Sequence, residues 1–297
     1  MSTVLHVLTY NTHLFTGTMA AKLGSVLGNV EFEDERRLSG IIEKIKLLHP
    51  DLVGLTEVWG RKSRQRVIEE LEPLYPHSYS DELRGGLKVG SGLLLLSRHP
   101  LSNPSFTGYK TLRGSDGWSN KGFITATIHV GGQNVLVALT HTQASADDAA
   151  TKARWTNLTA LQGLLQRAEL AHLPMIVLGD LNVSGECLEG KPTREYQDMS
   201  GLMAEVRLQD AFRQTHPVSA ARGFTWDGEN NPLVGYFDKQ DGKSRLQQRL
   251  DYLFVRGLRP SACNVLTDFV YRAGRSGQTM DLSDHYPLYA ALTLPRQ

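Results

Sequence analysis

Oxygen and nitrogen donors stand at the ends of apolar runs along this chain: Asn11, Glu57, His141, Asp180 with Asn182, Asp251, and the adjacent pair Asp284-His285. A carboxylate such as Glu57 suits a hard cation like Mg²⁺, which prefers carboxylate and water oxygens. Asn11 is a neutral oxygen donor that orients Glu57 or shares the ion. Imidazoles move protons near neutral pH, and a neighbouring carboxylate, here Asp251, fixes the tautomer and raises basicity. Asp180 and Asn182 are two apart, so in extended chain they point the same way. Together these residue types fit water attack on a phosphoester, with a cation and amide or imidazole donors stabilising the phosphoryl oxygens. Taken singly, each has a plainer reading: a cap or turn for Asn11 or Glu57, an Asx turn for Asp180, a structural strand-end histidine for His141 or His285. The sequence contains no Gly-x-Ser-x-Gly elbow, Walker loop or Cys/His cluster of zinc spacing.

The elements that must position these residues are legible as hydrophobic pattern. Apolar runs at 4–8, 52–55, 135–139, 175–178 and 252–255 read as buried strands, each followed or closed by a polar candidate. Residues 34–48 read as an amphipathic helix with Leu38, Ile41, Ile42 and Ile45 inward, stopped before Pro50. A second helix is expected over 63–74. Its basic start, Arg61, Lys62, Arg64 and Arg66, is either a phosphate-attracting rim or a solvated face. Strands follow at 92–97, 122–130 and 135–140, with Gly131-Gly132 as a hairpin turn. Helices are expected at 146–170 and about 198–212. Residues 14–30, with Phe15, Met19, Leu23 and Leu27 every four positions, form either a lid or a segment packed on the core. Helices between strands in both halves of the chain predict two packed mixed sheets flanked by helices.

The 297 residues show no linker, low-complexity tract or internal repeat, so one domain over 1–297 is expected. A formal net charge of +1 gives no global attraction to nucleic acid. Two cysteines, Cys187 and Cys263, are too few for a disulfide framework, and their pairing stays open. As written, the N-terminus carries no export signal and no apolar run is long enough to span a bilayer. The expectation is a soluble, cytoplasmic monomer, or a secreted one if a leader has been trimmed.

The motifs Thr9-Tyr-Asn11, Leu55-Thr-Glu57, Gly92-Leu-Leu-Leu-Leu-Ser-Arg-His-Pro100, Gly179-Asp-Leu-Asn182, Arg249-Leu-Asp-Tyr252 and Ser283-Asp-His285, in this order, resemble the endonuclease/exonuclease/phosphatase superfamily. That resemblance implies an α/β fold, a four-layer α/β/β/α sandwich like that of deoxyribonuclease I, with the site at one edge of the paired sheets. Within the superfamily, Thr140-His-Thr-Gln-Ala144 and Asp116-Gly-Trp-Ser-Asn-Lys121-Gly122 are similar to segments of the neutral and bacterial sphingomyelinases. Glu195-Tyr-Gln-Asp and the stretch 224–230 add weaker likeness. The implied activity is a Mg²⁺-dependent phosphodiesterase, with Mn²⁺ or Co²⁺ as substitutes, that hydrolyses sphingomyelin or a related lipid to ceramide and phosphocholine.

By this resemblance Glu57 is the main metal ligand with Asn11 beside it, and Asp284 supports the dyad or a metal-bound water. His285 is the base, held by Asp251. His141 and Asn182 bind phosphate, and Asp180 positions the water or the leaving group. Lys121 pairs with phosphate or with Asp116 to shape the entrance; the plainer alternative is an exposed turn lysine. The late segment 271–279 is polar where secreted relatives carry an aromatic-tipped hairpin. Peripheral membrane contact would therefore fall to residues 14–30 or to Trp59 and Trp118. The competing reading is an abasic-site or non-specific DNA endonuclease, and a third is a catalytically silent interaction module.

Overall fold

The computed structural model describes residues 3–14, 34–81, 90–185, 191–217, 222–237, 246–273 and 277–295. In chain order the strands are β1 (Thr3–Leu14), β2 (Leu52–Val58), β3 (His77–Tyr79), β4 (Leu94–Ser97), β5 (Leu101–Gly108), β6 (Gly122–Val130), β7 (Gln133–His141) and β8 (Met175–Asp180). They continue with β9 (Gln209–Asp210), β10 (Trp226–Asp227), β11 (Gln247–Gln248), β12 (Asp251–Arg256), β13 (Arg259–Val265), β14 (Val270–Arg272), β15 (Thr279–Asp281) and β16 (Leu288–Leu294). The helices are α1 (Asp34–Leu48), α2 (Arg61–Leu71), α3 (Asp148–Leu165), α4 (Arg194–Glu205), α5 (Ala211–Thr215) and α6 (Pro232–Phe237).

Two six-stranded sheets result, in the orders β13-β16-β1-β2-β4-β3 and β5-β6-β7-β8-β12-β9. Most pairings are antiparallel, but β1 runs parallel to β2 and β7 parallel to β8. The apolar runs are continuous because both faces of these strands are covered. Leu5 and Val7 of β1 and Ile176 and Leu178 of β8 point between the sheets. Leu8 and Tyr10 point outward to Leu38, Ile41, Ile42 and Ile45 of α1 and Val67 of α2. On the other side Met175 and Val177 meet Leu158 and Leu161 of α3 and Met199 and Met203 of α4. This is the expected four-layer α/β/β/α sandwich. The sheets approach so closely at Gly54 that a Cβ there would stand 2.7 and 2.8 Å from the δ-methyls of Leu178 and Leu139.

Helix α1 has the expected bounds, and α2 begins and ends a few residues early. Its basic start does not act as one rim: Arg64 is buried, while Arg66 is bonded to Glu35 and Glu70. Helix α3 begins at Asp148, where Asp147 accepts from the N–H groups of Ala149 and Ala150. The helix expected at 198–212 is divided. Thr193 caps α4, the chain turns at Arg207 with φ 60°, and Asp210 joins a short strand before capping α5. Apolar spacing continued past this break, so periodicity alone did not reveal it.

No described helix is long and apolar enough to cross a membrane. Cys263 is a buried, unbridged thiol, whereas Cys187 and residues 15–30 of the expected lid lie outside the described residues. The polar segment 271–279 enters the ribbon β14-β15, with 274–276 outside the described residues.

Strand direction gathers the candidates. The C-terminal ends of β1 and β2 lie together because the pair is parallel, and the same holds for β7 and β8. Strand β12 runs antiparallel to β8 and β16 antiparallel to β1, so their starts reach that edge. Asp251 opens β12, and Asp284-His285 are separated from the start of β16 only by Tyr286 and Pro287.

Candidate active site

Register aligns three candidates in one row. His141 is opposite Asp180 across β7-β8, and Asp180 is opposite Asp251 across β8-β12. The row forms only because Gly179 is a glycine: its φ is +136°, and a Cβ there would lie 1.9 Å from the Thr140 carbonyl oxygen. Ligand atoms of Asp180, Asp251 and His285 lie within 4.8 Å of one another, as do those of Glu57, His141 and Asp180, so Asp180 joins the two groups.

His285 Nδ1 lies 2.7 Å from Asp251 Oδ2. Thr225 holds this pair: its Oγ1 accepts from the N–H groups of Leu250 and Asp251, and its carbonyl accepts from Tyr286 N–H at 2.6 Å. Burial lowers the affinity of His285 for a proton, but the charges of Asp251, Asp180 and Asp284 and the Asp251 bond outweigh it, raising its pKa to about 10. Burial and the adjacent Asp251 charge raise Asp180 to about 7. Asp251 Oδ1 is buried without a hydrogen-bond partner among the described residues.

Asp180 accepts from Asn11 Nδ2 at 2.9 Å through one oxygen and from the Asn182 N–H at 2.8 Å through the other. The second bond is an Asx turn, and Asn182 has φ 52°, so the chain has left extended conformation before Asn182. The expectation that an extended chain aligns Asp180 with Asn182 is corrected accordingly. Asn182 Nδ2 instead points to the Thr142 carbonyl, 3.3 Å away. Asn11 orients Asp180 rather than Glu57, and its Oδ1 accepts from the His13 N–H at 3.2 Å.

Glu57 also sits at positive φ, 59°, an uncommon state for this residue type and one concentrated at functional sites. Burial pushes its carboxyl up, but the bond to His13 and the charges of His13 and Lys121 hold it well below the usual range. Its Oε2 is 3.3 Å from His13 Nδ1, which is 3.5 Å from Asp284 Oδ2. His13 was not among the candidates, and its spacing from Asn11 carried no signal, because the chain leaves extended conformation at His13, φ 47°.

Burial keeps His141 neutral, its pKa well below the usual value, and the Lys121 charge adds to this. Both His141 ring nitrogens are buried without a hydrogen-bond partner among the described residues. Nε2 stands 3.4 Å from Asp180 and 3.8 Å from Glu57. Burying an unpartnered imidazole is costly, so this is a place built to receive a ligand. Carboxylates of Glu57 and Asp180 beside it supply oxygen donors of the kind a divalent cation requires.

Lys121 is buried, 2% exposed, which removes the reading as an exposed turn lysine. Its Nζ donates to Asp116 Oδ2 at 2.9 Å and to the Thr142 carbonyl at 3.2 Å, and Asp116 accepts from the Ala144 N–H at 2.7 Å. The pair therefore pins the loop that follows His141. Trp59 is buried, its ring 6.3 Å from that of His141, and so forms a wall; Trp118 is 69% exposed.

Two packed sheets carry carboxylates, imidazoles and amides at their shared strand ends, and the family and relatives that match the chain make it a phosphoric diester hydrolase. The chain belongs to the endonuclease/exonuclease/phosphatase family, matching it over residues 8–285. It is 23% identical over 267 residues to a phospholipase C of Staphylococcus aureus, covering 81% of this chain and 75% of that one. A sphingomyelinase C of Listeria ivanovii is 23% identical over 314 residues, covering 95% and 84%. Among solved structures, a double mutant of Staphylococcus aureus beta toxin with bound magnesium ions superposes with a TM-score of 0.76 at 20% identity, covering 97% of this chain and 99% of that one.

Proposed function

We propose that the protein is a Mg²⁺-dependent phosphodiesterase that hydrolyses sphingomyelin or a related phosphodiester lipid to ceramide and phosphocholine. The observation that carries the chemistry is the His285-Asp251 pair at 2.7 Å beside Asp180, next to buried and unpartnered His141. The lipid preference is supported by the sphingomyelinase and phospholipase C relatives and by the near-neutral charge of the chain.

Glu57 and Asp284 would hold the cation, with Asn11 and Asp180 oriented around it. When bound, the cation polarises the phosphoryl group, offsets charge on the departing oxygen, and opposes the carboxylates that keep His285 protonated. His285, once neutral, accepts a proton from water, and Asp251 stabilises the imidazolium that forms. Ligand atoms of Asp180 and His285 lie within 4.8 Å of each other, a spacing that supports a role for Asp180 in orienting the same nucleophilic water. His141, neutral and without another partner, donates to a phosphate oxygen with Asn182. The water oxygen bonds to phosphorus, the bond from phosphorus to the lipid oxygen breaks, and that oxygen takes a proton from solvent.

The test is Mg²⁺-dependent phosphocholine release from sphingomyelin in mixed micelles, with abasic-site DNA in parallel and His285→Ala as control. Release that falls roughly 10²- to 10⁴-fold in the control is expected, the range for a lost acid or base. DNA cleavage without lipid turnover would move the protein to the nuclease branch.

A further inference from the structure

His13 lies within an irregularity in β1, where the pairing with β2 shifts between Asn11 and Leu14. Its φ is 47°, and its carbonyl is held by both terminal nitrogens of the buried Arg37 at 3.0 and 2.9 Å. Its N–H is bonded to Asn11 Oδ1. The main chain is thus fixed on both sides, and Nδ1 stands between two carboxylates, 3.3 Å from Glu57 Oε2 and 3.5 Å from Asp284 Oδ2. Adjacent donors each about 2.1 Å from one octahedral ion lie about 3 Å apart and opposite ones about 4.2 Å apart, so Nδ1 is spaced as a neighbour of each carboxylate. The Glu57 and Asp284 oxygens, farther apart than the 4.8 Å that bounds the groups around Asp180, would close toward opposite positions on the ion.

We propose that His13 Nδ1 is a ligand of the divalent cation held by Glu57 and Asp284, and that it makes this centre favour Mn²⁺ over Mg²⁺. Mg²⁺ takes oxygen donors and keeps its waters, whereas first-row transition ions accept imidazole readily. A centre built from Glu57, Asp284 and asparagine or water oxygens discriminates weakly. One imidazole nitrogen in the set raises affinity for Mn²⁺ and leaves Mg²⁺ little changed. This inference rests on the reading that Glu57 and Asp284 hold a cation, and it is independent of which diester is cleaved.

The experiment is Mn²⁺ titration of the full chain followed by electron paramagnetic resonance, with Mg²⁺ competition and a pulsed spectrum that detects nitrogen bound to Mn²⁺. The wild-type protein should show imidazole coupling and bind Mn²⁺ at least about tenfold more tightly than Mg²⁺. His13→Asn should lose the coupling and weaken Mn²⁺ about tenfold, with Mg²⁺ within about threefold, while His141→Asn keeps the coupling. Asparagine is chosen because it tolerates positive φ. Coupling that is absent from the wild-type spectrum, or that survives in His13→Asn, overturns the proposal. So does tighter binding of both ions in that variant, which would make His13 a counter-ion that cations displace. The wild-type spectrum needs no variant to fold. Absence of any cation binding would overturn the underlying cation reading as well, whereas cation binding without lipid turnover would refute only the lipid activity.

Discussion

Asp251→Asn isolates the charge behind His285 with almost no change of shape. The carboxylate lies 2.7 Å from His285 Nδ1 and is buried, and an amide oxygen there can still accept the imidazole N–H. What disappears is the negative charge. At about 4 Å between charge centres and an effective dielectric near 20, the full Coulomb attraction is about 4 kcal/mol. With a neutral hydrogen bond retained, the net loss is about 1.5–3 kcal/mol, the usual value of a charge-assisted bond. That corresponds to roughly a 10- to 150-fold lower rate of the chemical step. The same loss predicts that His285, held near pKa 10 partly by Asp251, titrates lower, by ~1–2 pH units. The direction follows because removing an anion disfavours the imidazolium. Histidine side-chain NMR on the metal-free protein reads the titration without reference to substrate, and single-turnover hydrolysis at saturating cation reads the rate. An unmoved titration with a rate loss under about threefold would refute the assignment of Asp251 as the group that governs His285.

Two further outcomes concern stability. In the metal-free protein His285 is raised from 6.5 to about 10 and Asp180 from 3.8 to about 7, so at these two groups the folded state binds more protons than the unfolded chain, whereas His141, held below its ordinary value of 6.5, acts in the opposite sense at lower pH. The contribution of His285 and Asp180 is fully present below their ordinary values and is lost as pH rises through the raised ones. Above the range where His141 opposes it, the melting temperature measured with chelator should therefore fall from about pH 7 toward pH 10, with a cation reversing most of the fall, and a flat or rising curve in that window would contradict the site electrostatics. Gly179→Ala places a methyl against the Thr140 carbonyl at 1.9 Å in a conformation L-residues rarely adopt. Chemical denaturation should show a loss of at least about 3 kcal/mol, and a loss under about 1 kcal/mol would mean that the β7-β8 register does not depend on this glycine.

The strands were readable because two-sided burial leaves no alternation to decode, and α1 was readable because Leu38, Ile41, Ile42 and Ile45 repeat with helical period. The divided helix around Arg207 was not, since Leu202, Met203, Val206 and Leu208 all pack on the same cluster although α4 ends at Glu205. Asp180 and Asn182 were legible as neighbours but not as an Asx turn, because side-chain bonding to a local N–H competes with extension only once the strand has ended. His13 gave no comparable signal. Its position depends on the β1 irregularity and on Arg37, a helix residue that also bonds the Leu282 carbonyl at 2.8 Å and so ties the loop before Asp284 to the exit of β1.

The sequence by itself determined which chemical groups terminate the strands, because strand ends follow local hydrophobic pattern and the polar residues that stop it. Which of those groups meet was decided only by tertiary structure. The Asp251-His285 contact spans 34 positions, and Asn11-Asp180 spans 169. Both depend on sheet order, parallel or antiparallel direction and register, which arise from long-range burial between the two sheets. A one-residue slip of β8 would turn Asp180 to the opposite face without changing a single local preference.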